Sequence, residues 1–355
     1  MKALVLSGGM GLRLRPFSHS APKQLIPLAN KPVLVHVIEE LRAMEVTEIG
    51  IVVGDRPEKI EEVLGDGSGL GVRITYIRQE APRGLAHCVA IARDFLADDD
   101  FVMYLGDNVL TSGVTDMAKE FRATRPAAQV VVHKVADPRA FGVAEVDDDG
   151  RVIRLVEKPE QPVSDLAVVG VYFFTPAIHE AVTAIEASAR GELEITDAIQ
   201  WLVTQGAEVT ARTYTGFWKD AGRVDDVLEC NRELLDRLKA SVHGDVDGES
   251  ELIGGVVIEE GARIVRSRII GPVVVGADAV VEDSSIGPHT AIGRGCLLRD
   301  AEVSNTIVLE GASVQGVGAV HASVIGREAS VTSAPADGAA HRLIVGDHAR
   351  VEVAA

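Results

Sequence analysis

KALVLSGGMGLRLRP, residues 2–16, decides the class of fold to which the first half of the chain belongs. Ala3, Leu4, Val5 and Leu6 show no polar alternation, so the segment reads as a strand buried on both faces, the habit of a parallel sheet. It runs into glycines at 8, 9 and 11, where the backbone can turn sharply and approach a ligand with no Cβ in the way. Arg13 and Arg15 follow, and Lys23 of KQLIP (residues 23–27) adds a third cation. Backbone N–H groups together with guanidinium forks suit a polyphosphate. Two familiar phosphate loops are excluded. No GxxxxGK[ST] occurs, and the dinucleotide pattern GxGxxG fails because Leu14 stands where its last glycine belongs.

Outward from that loop, strand and helix signals alternate up to about residue 220. Asn30-Lys31-Pro32 predicts a helix start, followed by Val33, Val37, Ile38, Leu41 and Met44 at helical spacing. Strands are predicted at Ile49–Val53, Ile74–Ile77 and Phe101–Leu105, with a helix over Leu85–Phe95. This order implies an α/β, Rossmann-like, mostly parallel sheet with ligands at the carboxyl ends of its strands. The segments Gln129–Val135, Gly142–Val146, Val152–Val156 and Val168–Phe174 are richer in strand and predict an antiparallel edge. Residues 222–240 read as an amphipathic connector helix.

Past the polar stretch His243–Glu251 the texture changes. Aliphatic residues recur in steps of six, as at Ile258, Ile264 and Ile270, at Val275 and Val281, and at Ile286, Ile292 and Leu298, with occasional steps of five. A hexapeptide period signals a left-handed parallel β-helix whose stacked coils fill their own interior. About five turns are expected between 250 and 352, with Ser330–His341 as a loop or distorted coil. The domains are thus 1–240 and 241–355.

With 355 residues, 35 basic against 53 acidic and a formal charge of −18, a general nucleic-acid-binding surface is disfavoured. No apolar run long enough to span a membrane and no signal-peptide pattern appears, so a cytoplasmic location without membrane partners is expected. Cys88, Cys230 and Cys296 are odd in number and far apart, which indicates neither a disulfide framework nor a zinc site. His87 beside Cys88 reads as incidental packing on a helix.

GGxGxRLxP at Gly8–Pro16, taken with the downstream KQLxP, resembles the signature of the sugar-1-phosphate nucleotidylyltransferases, in particular the long glucose-1-phosphate thymidylyltransferases that end in a β-helix. The resemblance spans the whole chain. It implies that Leu6, Gly8, Gly9, Gly11 and Arg13 hold the triphosphate, with Arg13 on the departing pyrophosphate and Lys23 on the reacting phosphates. Gln79 in RQEAPRGLAH is similar to the glutamine that reads the nucleobase, with Gly84 supplying a backbone contact. A carboxamide has a donor and an acceptor side by side, as the edge of thymine or uracil requires. Asp107 in LGDN and Asp220 in FWKDAG match the pair that holds a catalytic Mg²⁺. On the sugar side, Gly142 of FGV, Glu157 and Lys158 of EKP, Val169 and Gly170, and Arg190 and Glu192 of RGELEITD match positions that bind the hexose and its phosphate. Two departures stand out: Leu12 where a small hydroxyl residue is usual, and Arg83 where an acidic residue often precedes the glycine.

The resemblance implies Mg²⁺-dependent transfer from dTTP to glucose 1-phosphate, giving dTDP-glucose and pyrophosphate, the first step toward dTDP-deoxysugars, with small-molecule substrates and a homo-oligomeric assembly. The nearest rival is a uridylyltransferase, since thymine differs from uracil by one methyl. A hexapeptide acyltransferase using His289, His321, His341 or His348, and a catalytically silent regulatory homologue, are the alternatives from other classes. With an assembly role for the β-helix, a fragment ending near Lys239 is expected to retain measurable nucleotidyl transfer at lower stability and to sediment as a smaller species.

Overall fold

The computed structural model describes residues 1–9, 11–19, 21–54, 57–334 and 343–354. They fall into two compact units, one of residues 1–10 and 34–218, the other of residues 11–33 and 219–355.

The first unit is built on a 9-stranded sheet. Its main path runs Val152–Glu157, Gly142–Val146, Leu166–Phe174, Phe101–Leu105, Lys2–Ser7, Glu48–Val53, Arg73–Arg78. Lys2–Ser7 is central and pairs in parallel with both Glu48–Val53 and Phe101–Leu105. Its residues Ala3, Leu4 and Val5 are wholly buried, which is why no alternation shows in the sequence. The antiparallel edge is present: Leu166–Phe174 runs antiparallel to Phe101–Leu105 and to Ala128–Lys134, and Val152–Glu157 to Gly142–Val146.

The helix expected over Leu85–Phe95 is two, Leu85–Ile91 and Arg93–Leu96. The chain breaks at Ala92, where ψ is 4°. This break fits the seating of Phe95 so close to Gly50 that a Cβ there would lie 2.7 Å from its ring.

The helix predicted from Asn30-Lys31-Pro32 is present and begins one residue after Pro32, at Val33. In the second unit, Lys31–Pro32 pairs with Pro27–Leu28 in a short antiparallel ladder. Ala29 and Asn30 both take positive φ (47° and 63°), the twist that a two-residue hairpin turn demands. The connector helix spans Val224–Leu235, shorter than expected, and its end passes through turns into a strand at Ser241.

From Ser241 onward the chain forms three sheets of stacked parallel strands, two 7-stranded and one 5-stranded, consistent with the left-handed β-helix. The stack therefore starts earlier and is taller than the five turns expected from residue 250. The polar stretch hid the first coil, because Ser241–Val242, Asp245–Val246 and Glu251–Ile253 are held by backbone pairing to the next coil and contribute only Val246 and Leu252 to the interior. Ile258, Val275, Ile292, Val308, Ile325 and Val345 sit directly above one another in register. Buried serines one coil, 17 residues, apart take up backbone N–H groups at a corner: Ser284 N donates to Ser267 Oγ at 3.1 Å. That coil length needs one step of five, and Ile269, not Ile270, consequently faces the interior. Ser330–Ala334 is a strand paired with Arg350–Ala354 rather than a loop, while His341 and the rest of that stretch lie outside the described residues.

Candidate active site

The first unit's strand order reverses beside Lys2–Ser7, and α/β sheets bind ligands at the carboxyl ends of strands where this happens. Leu6 lies level with Leu105, and Gly106 N donates to Leu6 O at 2.9 Å, so the glycine loop and LGDN leave the sheet side by side. Asp107 Oδ1 accepts from Asn108 Nδ2 at 3.1 Å, and Asn108 Oδ1 accepts from Trp218 Nε1 at 2.7 Å. Trp218 of the second acidic motif thus orients the aspartate of the first through Asn108. A Cβ on Gly170 would lie 2.9 Å from Asn108 Cγ, so the glycine makes room for this relay. Val169 beside it is wholly buried.

Gln79 follows the strand Arg73–Arg78 and is nearly buried. Its Nε2 lies 3.0 Å from His87 Nδ1 and 3.5 Å from Gly84 O. Its Oε1 is 3.2 Å from where a Cβ on Gly8 would stand. Gly84 has φ +98°, and a Cβ on it would come within 2.7 Å of Leu193 N. Leu193 N donates to Arg83 O at 2.8 Å, and Leu193 O accepts from Ala86 N at 3.0 Å. The RGLAH loop is thereby laced to the RGELEITD segment.

Around Glu157 the sugar-side residues converge. Its carboxylate receives Lys158 Nζ at 3.3 Å, Arg190 Nη2 at 3.4 Å and Thr196 Oγ1 at 3.2 Å. A Cβ on Gly142 would lie 2.7 Å from Thr196 Cγ2, so only glycine leaves this cluster intact. Arg190 is anchored by the buried Glu194, whose Oε1 accepts from Nη2 at 2.6 Å and from Nε at 3.1 Å, while Glu192 stands 3.6 Å away. The Glu194 hydrogen bond raises the Arg190 pKa further, with Glu157 and Glu192 adding to it. Glu194 had been read only as part of a motif.

Arg13, Lys23 and Asp220 belong to the second unit. Gly11 has φ +61°, and a Cβ there would be 3.0 Å from Lys23 Cβ, so the loop closes tightly on the KQL turn. Asp220 Oδ2 and Arg13 Nη2 flank Gly222, at 3.0 and 3.4 Å from a Cβ placed on it. Leu12 is exposed. The loop rests on the β-helix: Asn30 Nδ2 donates to Ile292 O at 2.7 Å, Gly346 lies under Pro16, and Leu14, Phe17 and Lys23 share a small pocket with Leu309 and Arg327.

Among the described residues no three His, Cys, Asp or Glu side chains gather as a metal cage. Asp107 and Asp220 each offer hard carboxylate oxygens, the donor type that Mg²⁺ takes. Burial pushes the Cys88 and Cys296 thiols up to about 12, so neither is a ready nucleophile.

A family model described as nucleotidyl transferase matches residues 2–237. The chain belongs to the nucleotidyl transferase family. It is 53% identical over 99% of its length, and 99% of the relative's, to a glucose-1-phosphate thymidylyltransferase of Streptomyces griseus, and 51% identical over the same shares to one of Streptomyces antibioticus. A crystal structure of a Bacillus anthracis protein, provisionally named a glucose-1-phosphate thymidylyltransferase and solved with a sucrose, aligns with TM-score 0.61 at 33% identity, covering 65% of this chain and 94% of that one. The resemblance carried by the motifs is borne out along the full length. For a nucleotidyl transferase, the residues that motif reading passed over are Asn108, Glu194 and His87, each in direct contact with a motif residue. His87, read as packing on its helix, also touches Gln79, with Nδ1 3.0 Å from Nε2.

Three of the histidines considered for the acyltransferase alternative have side-chain partners. His289 is paired with Asp236 at 3.0 Å and His348 with Glu328 at 2.8 Å. His321 Nδ1 lies 2.9 Å from Ser304 Oγ.

Proposed function

We propose that the chain transfers a thymidylyl group from dTTP to glucose 1-phosphate, giving dTDP-glucose and pyrophosphate. The observation that carries this reading is the lacing of the Gly84 loop to Leu193, which ties a candidate base reader to a candidate sugar-phosphate cluster in one framework. The names of the two full-length relatives point to the same substrates.

The phosphate oxygen of glucose 1-phosphate is already anionic near neutral pH and attacks the α-phosphorus in line, so no general base is needed. Lys158 and Arg190 bind the sugar phosphate, and Glu157 and Glu192 take sugar hydroxyls. Gly8, Gly9 and Gly11 cradle the triphosphate, while Arg13 and Lys23 offset the charge that develops on it. Asp107 and Asp220 would hold Mg²⁺, which when bound neutralises phosphate charge. The reaction belongs in the cytoplasm, and the working form is a homo-oligomer.

The test is pyrophosphate release by the purified chain with glucose 1-phosphate and Mg²⁺, comparing dTTP, UTP, dCTP and the purine triphosphates. The highest kcat/KM is expected with dTTP, with UTP following closely, because one methyl in an apolar pocket contributes only about 1 kcal/mol. Turnover confined to a purine triphosphate, or none with any sugar 1-phosphate, sinks the reading.

A further inference from the structure

The two ends of the Gln79 carboxamide are chemically opposite, and its surroundings decide which one faces outward. One end lies against His87 Nδ1 at 3.0 Å and the Gly84 carbonyl at 3.5 Å. A carbonyl oxygen only accepts, so the amide nitrogen belongs on that side. His87 must then accept at Nδ1, as a neutral ring carrying its proton on Nε2. Burial lowers the His87 pKa, and the nearby Arg83 guanidinium lowers it further, which favours the accepting form. The other end, Oε1, is turned toward the glycine loop at Gly8.

We propose that His87 is a positioning residue for base selection: by accepting from Gln79 Nε2 it holds Oε1 outward, so that the site takes pyrimidines bearing an N3–H donor and rejects cytosine. This rests on Gln79 being the base reader in the proposed function. Thymine and uracil carry a proton on N3, which Oε1 accepts. Cytosine is nearly the same size but presents a lone pair at N3, and two acceptors facing each other leave a buried pair unsatisfied. Without the His87 acceptor, the longer contact to Gly84 and the neighbouring Cys88 thiol hold that end of the carboxamide less firmly. A half turn then presents Nε2–H outward, the pattern that suits cytosine. Size exclusion cannot produce this discrimination, which makes it specific to the orientation of one amide.

The experiment measures kcat and KM for dTTP, UTP and dCTP, with glucose 1-phosphate and Mg²⁺, in the full-length protein and in His87→Leu and His87→Asn. The unaltered protein is expected to favour dTTP over dCTP by at least about 100-fold, as a site built around one hydrogen-bonding pattern does. In His87→Leu that preference should fall about tenfold, through a higher KM for dTTP and better use of dCTP. KM for glucose 1-phosphate and kcat at saturating dTTP should stay within about twofold. Asparagine places an acceptor near the position of Nδ1, so His87→Asn should recover most of the preference. An unchanged dTTP to dCTP ratio in a His87→Leu protein of normal melting temperature overturns the inference and leaves the proposed function standing. So does an equal loss of kcat with every nucleotide, the mark of a merely structural role. A purine preference in the unaltered protein overturns the proposed function, and this inference with it, before any variant is compared.

Discussion

Lys158 takes φ +42°, a conformation that side-chain-bearing residues adopt at a cost of about 1–3 kcal/mol. Its N–H is held by Phe141 O at 2.9 Å, and its ammonium faces Glu157 at 3.3 Å, so the strain is fixed in place by its neighbours. Such a residue is preorganised, and the proposed role gives it one anion, the sugar phosphate. Lys158→Ala should therefore raise KM for glucose 1-phosphate at least about tenfold, as expected for loss of a charge-assisted contact, while KM for dTTP moves much less. Steady-state kinetics with each substrate varied in turn decide it, and equal shifts in both would mean that the division of roles is wrong. At this scale EKP was legible because its residues are contiguous. Glu194, which anchors Arg190, was not, because a buried acid inside a motif looks the same in sequence as an exposed one.

Between elements, one tight constraint is the crossing of the Gly84 loop and the segment ending at Leu193. Gly84 sits at φ +98°, and any Cβ would meet three backbone atoms of Leu193 within 2.8 Å. Backbone cannot swing aside as a side chain does, so Gly84→Ala must push the two segments apart. The expected result is a loss of about 2 kcal/mol in stability, from strain alone, together with higher KM for both substrates. Thermal melts and paired kinetics test this, and a variant impaired toward dTTP alone would show that the two loops are not coupled. Sequence periodicity located most elements here, yet it misjudged their joins. One helix became two at Ala92, a hairpin at Asn30 leads straight into the predicted helix, and an unmarked five-residue step exchanged Ile270 for Ile269. Each miss lies where tertiary contact or a positive φ overrides local pattern.

Over the whole molecule the contacts furthest from sequence legibility are those that brace the loop 11–33. Asn30 reaches Ile292 O across 262 residues, and Ala29 N donates to Asn231 Oδ1 at 2.8 Å across 202. Nothing local signals such pairings. Leu235 of the connector helix packs with Val274 and Ala291 of the coils, and Pro16 and Leu14 lie against residues near Gly346 and Leu309. Arg13 and Lys23, the proposed triphosphate cations, are carried on this loop. A fragment ending near Lys239 is expected to retain measurable transfer at lower stability, and the loop's packing on the coils says which step weakens. Removing the coils takes away the acceptor for Asn30 and uncovers Leu235, Leu14 and Pro16, so the glycine-rich loop loses one of the supports that hold its shape. Transfer by the 1–239 fragment should drop at least about tenfold, with KM for the nucleoside triphosphate rising more than KM for glucose 1-phosphate. Asn30→Ala in the full-length chain should move the same parameter in the same direction by a smaller factor, which separates loss of the brace from gross unfolding of the fragment. A fragment that folds, melts normally and turns over at the full-length rate would show that the coils do not support the loop. Assembly would then be the remaining use for the β-helix, to be read from the change in sedimentation between the two proteins.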